Sequence, residues 1–164
     1  MKTALAALLL LLTLALTPLS AVAGEPTDAR ALEGVEQGQV VFDLNNNDPE
    51  MLALYLMVIR ETHEDLVDQG VEPDMILAFR GRAVTMITED RERFELTEFD
   101  HLDAIEEHIA ALKEKGVHME SCSVATRLFG VDHGDLLPGI EPVRNTFVSL
   151  TGYQARGYAV VPIY

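Results

Sequence analysis

The chain holds one cysteine, no tryptophan, and 12 lysines and arginines against 27 aspartates and glutamates in 164 residues. A single thiol, Cys122, excludes a disulfide framework within the chain and any zinc site made of paired cysteines. The shortage of basic residues leaves a formal charge of −15. That charge repels phosphate backbones and anionic headgroups, so nucleic acid and membrane surfaces are excluded as expected partners. Beyond the first residues no apolar run is long enough to span a bilayer, and no internal repeat or low-complexity tract competes with a globular reading.

What is present begins with Met1-Lys2-Thr3, an apolar run from Ala4 to Leu16, and small residues at Ala21 and Ala23. One positive charge, a short hydrophobic region and an A-x-A-like end form the pattern of a secretory signal peptide over residues 1–23. The expected product starts near Gly24, is periplasmic or secreted, and has no membrane segment after cleavage. Residues 24–38 are small and polar, a mature leader or linker, and residues 39–164 are long enough for one domain with a core.

Within that domain, residues 40–44 (Val-Val-Phe-Asp-Leu) read as a buried strand ending at Asn45-Asn46-Asn47. Asp48 is a good helix N-cap and Pro49 suits the first helical position, which predicts a helix over residues 49–69 stopped by Gly70. A second strand follows at residues 75–79, and residues 85–96 read as a short helix or irregular loop. Leu102, Ile105, Ile109 and Leu112 then form one helical stripe. A third strand, residues 117–121, runs into Cys122 and a short helix over residues 123–129. Residues 131–142 read as turns, residues 146–150 as a fourth strand, and residues 158–163 as a fifth, with Pro162 confining that strand to a sheet edge. Strands nearly apolar on both faces and interleaved with helices predict a three-layer α/β/α domain with a five-stranded, mostly parallel sheet.

Between Met51 and Ile59 the first helix has no polar face for more than two turns. A helix apolar all round is buried all round, so a homo-oligomer interface is the expected cover. A wide core stripe under a long loop is the other reading.

The carboxyl ends of parallel strands share one edge, and chemistry in open α/β sheets gathers there. Topology thus brings together Asn45, Arg80, Arg82 and Cys122. Arginine is scarce, and two of the nine follow a buried strand directly. They offer a cation and an anion site beside the thiol, while an ion pair with one of the many acids is the plainer role for Arg80. Asn45 to Asn47 also suit a turn leading to the Asp48 cap. A thiolate in this position attacks sulfane sulfur, disulfides or peroxides. His118 and Met119, adjacent on a strand, point to opposite faces and do not grip one ion, so no metal or other cofactor is expected. His133, in a loop, is the histidine free to approach the thiol.

These residues resemble the DsrE/DsrF-like family. The likeness rests on the strand that enters a helix after Asn-Asp-Pro, the middle strand Asp74-Met75-Ile76-Leu77-Ala78-Phe79, Gly116-Val117 leading to Cys122, and the closing Gly157-Tyr158-Ala159. The resemblance implies a five-stranded parallel sheet and assembly as trimers or hexamers. It also implies a role for Cys122 as the residue that accepts sulfur as a persulfide and passes it on. The expected function is therefore an exported carrier or sulfurtransferase of sulfane sulfur with a donor or acceptor protein as partner. The alternative is a non-catalytic oligomeric module that binds a small ligand and uses Cys122 for packing.

Overall fold

The computed structural model describes residues 26–164; the expected signal peptide and cleavage site lie outside them. Strands β1 (Gln37–Leu44), β2 (Glu72–Phe79), β3 (His118–Cys122), β4 (Ile140–Val143) and β5 (Ala159–Ile163) alternate with helices α1 (Pro49–Asp68), α2 (Phe99–Glu114), α3 (Ser123–Phe129) and α4 (Thr146–Ala155). The strands form one sheet in the order β4-β3-β2-β1-β5, and every neighbouring pair is parallel. Right-handed crossovers explain the layering. The chain steps from β1 to β2 to β3 in one direction, which puts α1 and α2 on one face; the return from β4 to β5 runs the other way and carries α4 across the opposite face.

Local chemistry sets the elements. The Asp48 side chain accepts a hydrogen bond from the Met51 amide at 3.1 Å, and Pro49 opens α1. Leu102, Ile105, Ile109 and Leu112 are all buried, as their spacing predicts. Beneath α1 and α2 they join Phe42, Leu44, Leu77, Phe79 and Met119 in the main core. A smaller core under α4 holds Val41, Ile76, Ala78 and Tyr158. Edge strand β5 tolerates Pro162, which cannot donate to a ladder.

Three expectations need correction. Residues 146–150 are not a strand: they begin α4, capped by the Asn145 side chain, which accepts from the Phe147 amide at 3.0 Å. The fourth strand is instead Ile140–Val143, inside the stretch expected to be turns, and it pairs with β3. The strands are also not apolar on both faces, because Asp43 and Glu120 are buried within β1 and β3. Residues 85–96, expected as a short helix or an irregular loop, are largely irregular chain that follows a 3₁₀ turn at Gly81–Thr85. Among the described residues no helix is long and apolar enough to cross a membrane.

Candidate functional site

The sheet register aligns the ends of the central strands: Leu44 lies beside Phe79, and Phe79 beside Ser121. The residues that follow each strand are therefore neighbours, and a cavity of about 250 Å³ opens there, lined by Cys122, Arg80, Gly81, Thr146, Phe147 and the apolar side of α3. Cys122 caps the start of α3 in an extended conformation and is 5% exposed.

The thiol sits in a field that favours its anion. Burial pushes the Cys122 thiol up, but hydrogen bonding available to the anion from the Thr146 side chain and amide, and from the Ala125 and Val124 amides, outweighs it and lowers the pKa. Thr146 is the residue that sequence reasoning missed. Its hydroxyl oxygen is buried and makes no hydrogen bond in the structure, and the residue lines the same cavity as Cys122. The signal available in the sequence was Asn145, a strong N-cap immediately before it.

Arg80 shares the cavity with Cys122 but is already engaged. Its Nε donates to Asp43 Oδ1 at 2.5 Å and its Nη2 to Asp43 Oδ2 at 2.9 Å. The guanidinium carbon stands 5.5 Å from the centre of the Phe147 ring and 5.9 Å from that of Tyr164. The bonds to Asp43 hold the guanidinium pKa up; the Cys122 charge is the weakest contribution in the same direction. The cation faces the thiol's cavity with its charge largely offset.

The other expected site residues separate. Arg82 is exposed and does not line the cavity. Asn45 is one step back from the thiol, packed against Gly81, where φ is +58° and an added Cβ would run into the Asn45 side-chain oxygen. It shapes the turn after β2 and so positions Arg80. His133 does not reach Cys122; its Nε2 is 2.9 Å from Thr126 Oγ1, on the side of α3 that forms a separate cavity with Arg127. His118 is turned to Glu120, 3.3 Å away. Among the described residues, no group of three or more histidine, cysteine, aspartate or glutamate side chains is arranged to hold a metal ion.

Residues 39–163 match the model of the DsrE/DsrF-like family. The chain belongs to that family. It is similar to an uncharacterized protein of Aquifex aeolicus (strain VF5), with 25% identity over 125 residues, 76% of this chain and 55% of that protein. The chain thus spans little more than half the length of that curated relative. Among solved structures it is similar to a protein of unknown function from Methanobacterium thermoautotrophicum, with a TM-score of 0.61 and 21% identity, covering 77% of this chain and 99% of the other. It is also similar to the ychN protein of E. coli, with a TM-score of 0.54 and 19% identity over 77% of this chain and 98% of that one. These likenesses agree with the parallel five-stranded α/β fold.

Proposed function

We propose that this DsrE-like domain is exported and binds or relays sulfane sulfur as a persulfide on Cys122. The family is one generally implicated in sulfur relay. The single observation that carries the finer reading is a thiol with a lowered pKa in an open cavity, beside the buried, unpartnered Thr146 hydroxyl and the amides that begin α3. Hydrogen-bond donors of this kind stabilise a thiolate and the equally anionic outer sulfur of a persulfide. The thiolate takes the terminal sulfur of a donor, the donor's S–S bond breaks, and the donor leaves as its own anion. A lone cysteine cannot resolve the product within its own chain, so the sulfur waits for an acceptor.

Intact-mass analysis of reduced protein exposed to polysulfide tests this. The expected result is a gain of one sulfur, reversed by a thiol reductant and absent in Cys122→Ser. A folded protein that stays unmodified while a control cysteine peptide is loaded would return Cys122 to packing, the reading that its 5% exposure favours.

We also propose that the domain works as a homo-oligomer. Met51, Leu54 and Val58 of α1 are 39%, 44% and 43% exposed. Val58 also lines an apolar groove of about 630 Å³ between α1 and β5, with Val35, Phe42, Tyr55, Ile59, Val161 and Ile163 among its walls. Leu56, by contrast, is fully buried, so a charge there unfolds the domain and reports nothing about assembly. Val58→Glu is the informative change, and light scattering should show it dissociating the oligomer; a monomer in the unmutated protein would refute the assembly. Export is tested by the mass of the exported form, expected to begin near Gly24.

A further inference from the structure

We infer that the Cys122 cavity takes its sulfur from an apolar organic persulfide, R–S–SH, in preference to thiosulfate or another inorganic dianion. The inference rests on the sulfur-carrier reading and adds the class of donor. Four observations carry it. Arg80 is the one basic side chain lining the cavity among the described residues, and Asp43 grips it with two hydrogen bonds, so an incoming dianion meets no unpaired cation. The other walls are largely apolar, from Val124, Ala125, Leu128, Phe129 and Phe147, and the outer two of these, Leu128 and Phe147, are 73% and 63% exposed at the mouth. The volume, about 250 Å³, suits a group of aromatic size, since a dry cavity of about 150 Å³ holds benzene. Finally, Thr146 lines the cavity with Cys122, is 1% exposed, and carries a buried hydroxyl with no hydrogen-bond partner, a donor left for the reacting sulfur.

The chemistry balances without an added oxidant. The Cys122 thiolate attacks the outer sulfur of R–S–SH; a new S–S bond forms between Cys122 Sγ and that sulfur as the donor's own S–S bond breaks. The electron pair departs with the thiolate R–S⁻, and the proton stays with the transferred sulfur. Thiosulfate would have to bring two negative charges up to a thiolate in a chain whose formal charge is −15, at a site with no unpaired cation to receive them. An apolar R group instead fills the mouth and gains from leaving water.

The test compares benzyl persulfide, glutathione persulfide and thiosulfate on the reduced protein. Loading of Cys122 is followed by intact mass and each rate is divided by that of a free cysteine peptide. Benzyl persulfide should load roughly tenfold or more faster than either charged donor, the scale on which a hydrophobic pocket discriminates. Phe147→Ser and Leu128→Ser, both at exposed positions, should erode that preference once each rate is divided by the same variant's rate of alkylation by iodoacetamide. A persulfide on a short peptide with phenylalanine beside its cysteine separates the two sources of such a donor. If it outpaces benzyl persulfide the natural donor is a polypeptide, and if it lags the donor is a small thiol. Equal normalised rates for thiosulfate and benzyl persulfide, or a preference untouched by both substitutions, would overturn the inference. Failure of every donor to load a folded protein would overturn the carrier reading as well, and is distinguishable from the first result.

Discussion

On the sheet face beneath α1 and α2 the central strands present Phe42, Leu44, Leu77, Phe79 and Met119, all buried among apolar neighbours. The face beneath α4 is built otherwise: Asp43, Asp74 and Glu120 stand on three adjacent strands, each held by a partner from elsewhere in the chain. Arg80 pairs with Asp43, the Tyr158 hydroxyl donates to Asp74 at 2.5 Å, and the Tyr153 hydroxyl donates to Glu120 at 2.6 Å. Tyr153 and Tyr158 meet edge to face with their centres 5.2 Å apart, and Arg156 covers both rings. Apolar burial is non-directional, whereas hydrogen bonds fix position. The first face therefore supplies most of the stability. The second tells α4 where to lie, and the first residue of α4 is Thr146, beside the thiol.

The largest test of this division is on the apolar face. Leu77 is fully buried between the central strands and the helices, so Leu77→Ala should cost about 2–5 kcal/mol in denaturant unfolding. The Cys122 alkylation profile of the remaining folded protein should be unaltered. A profile that moves with Leu77 would mean that the two faces are not separable.

On the polar face, Asp43→Ala leaves the Arg80 guanidinium, whose side chain is 18% exposed, without its two acceptors. The expected loss is about 1–3 kcal/mol, the cost of a poorly solvated polar group left unpaired. A freed Arg80 should also help load anionic donors, so thiosulfate should gain on benzyl persulfide in this variant. Stability and donor preference that both match the unmutated protein would show the ion pair to be idle.

Much of this was legible in the sequence because the signals were local. Asp48-Pro49 caps a helix wherever it stands before an apolar run, and the stripe from Leu102 to Leu112 has one period. Cys122 was found because a strand end in a parallel sheet has a known address. The fourth strand failed for a physical reason. Thr146, Phe147 and Val148 are β-branched or aromatic and look like a strand, but Asn145 caps them into a helix, and Leu150 and Tyr153 pack against the second core. The true strand, Ile-Glu-Pro-Val, is short, and its proline suits an edge. The acids of the α4 face were hidden because nothing in the order of residues announces that Tyr153 will reach Glu120, 33 positions away.

Tyr153→Phe is a gentler probe of the same face. It removes one donor from a buried carboxylate and should cost about 1 kcal/mol. Burial, then the hydrogen bond to Glu120 and its charge, hold the Tyr153 phenol pKa up; for Tyr158 the hydrogen bond to Asp74 comes first and burial second. A raised phenol pKa means that the native state keeps a proton which the unfolded chain releases near pH 10. The native state then binds more protons, so stability is full below that pH and falls as pH rises beyond it. Tyr153→Phe should flatten the alkaline fall, seen by unfolding at a series of pH values and by tyrosinate absorbance. An alkaline limb of unchanged slope would remove Tyr153 from the account.

The smallest expected change in stability falls at the point where the polar face meets the thiol. Thr146→Val keeps the shape of the side chain and removes a buried hydroxyl that makes no hydrogen bond in the structure. Its loss should leave unfolding within about 0.5 kcal/mol of the unmutated protein. The thiol should respond more than the fold does. With the Thr146 hydroxyl no longer available to the anion and burial still opposing it, the midpoint of Cys122 alkylation against pH should move upward, because only the amides of Thr146, Ala125 and Val124 remain to favour the thiolate. Arg80→Ala should move the midpoint in the same direction by less, since Asp43 offsets that cation. If Arg80→Ala proves the larger shift, the thiolate is held by charge rather than by hydrogen bonds, and the role assigned to α4 in placing Thr146 falls with it.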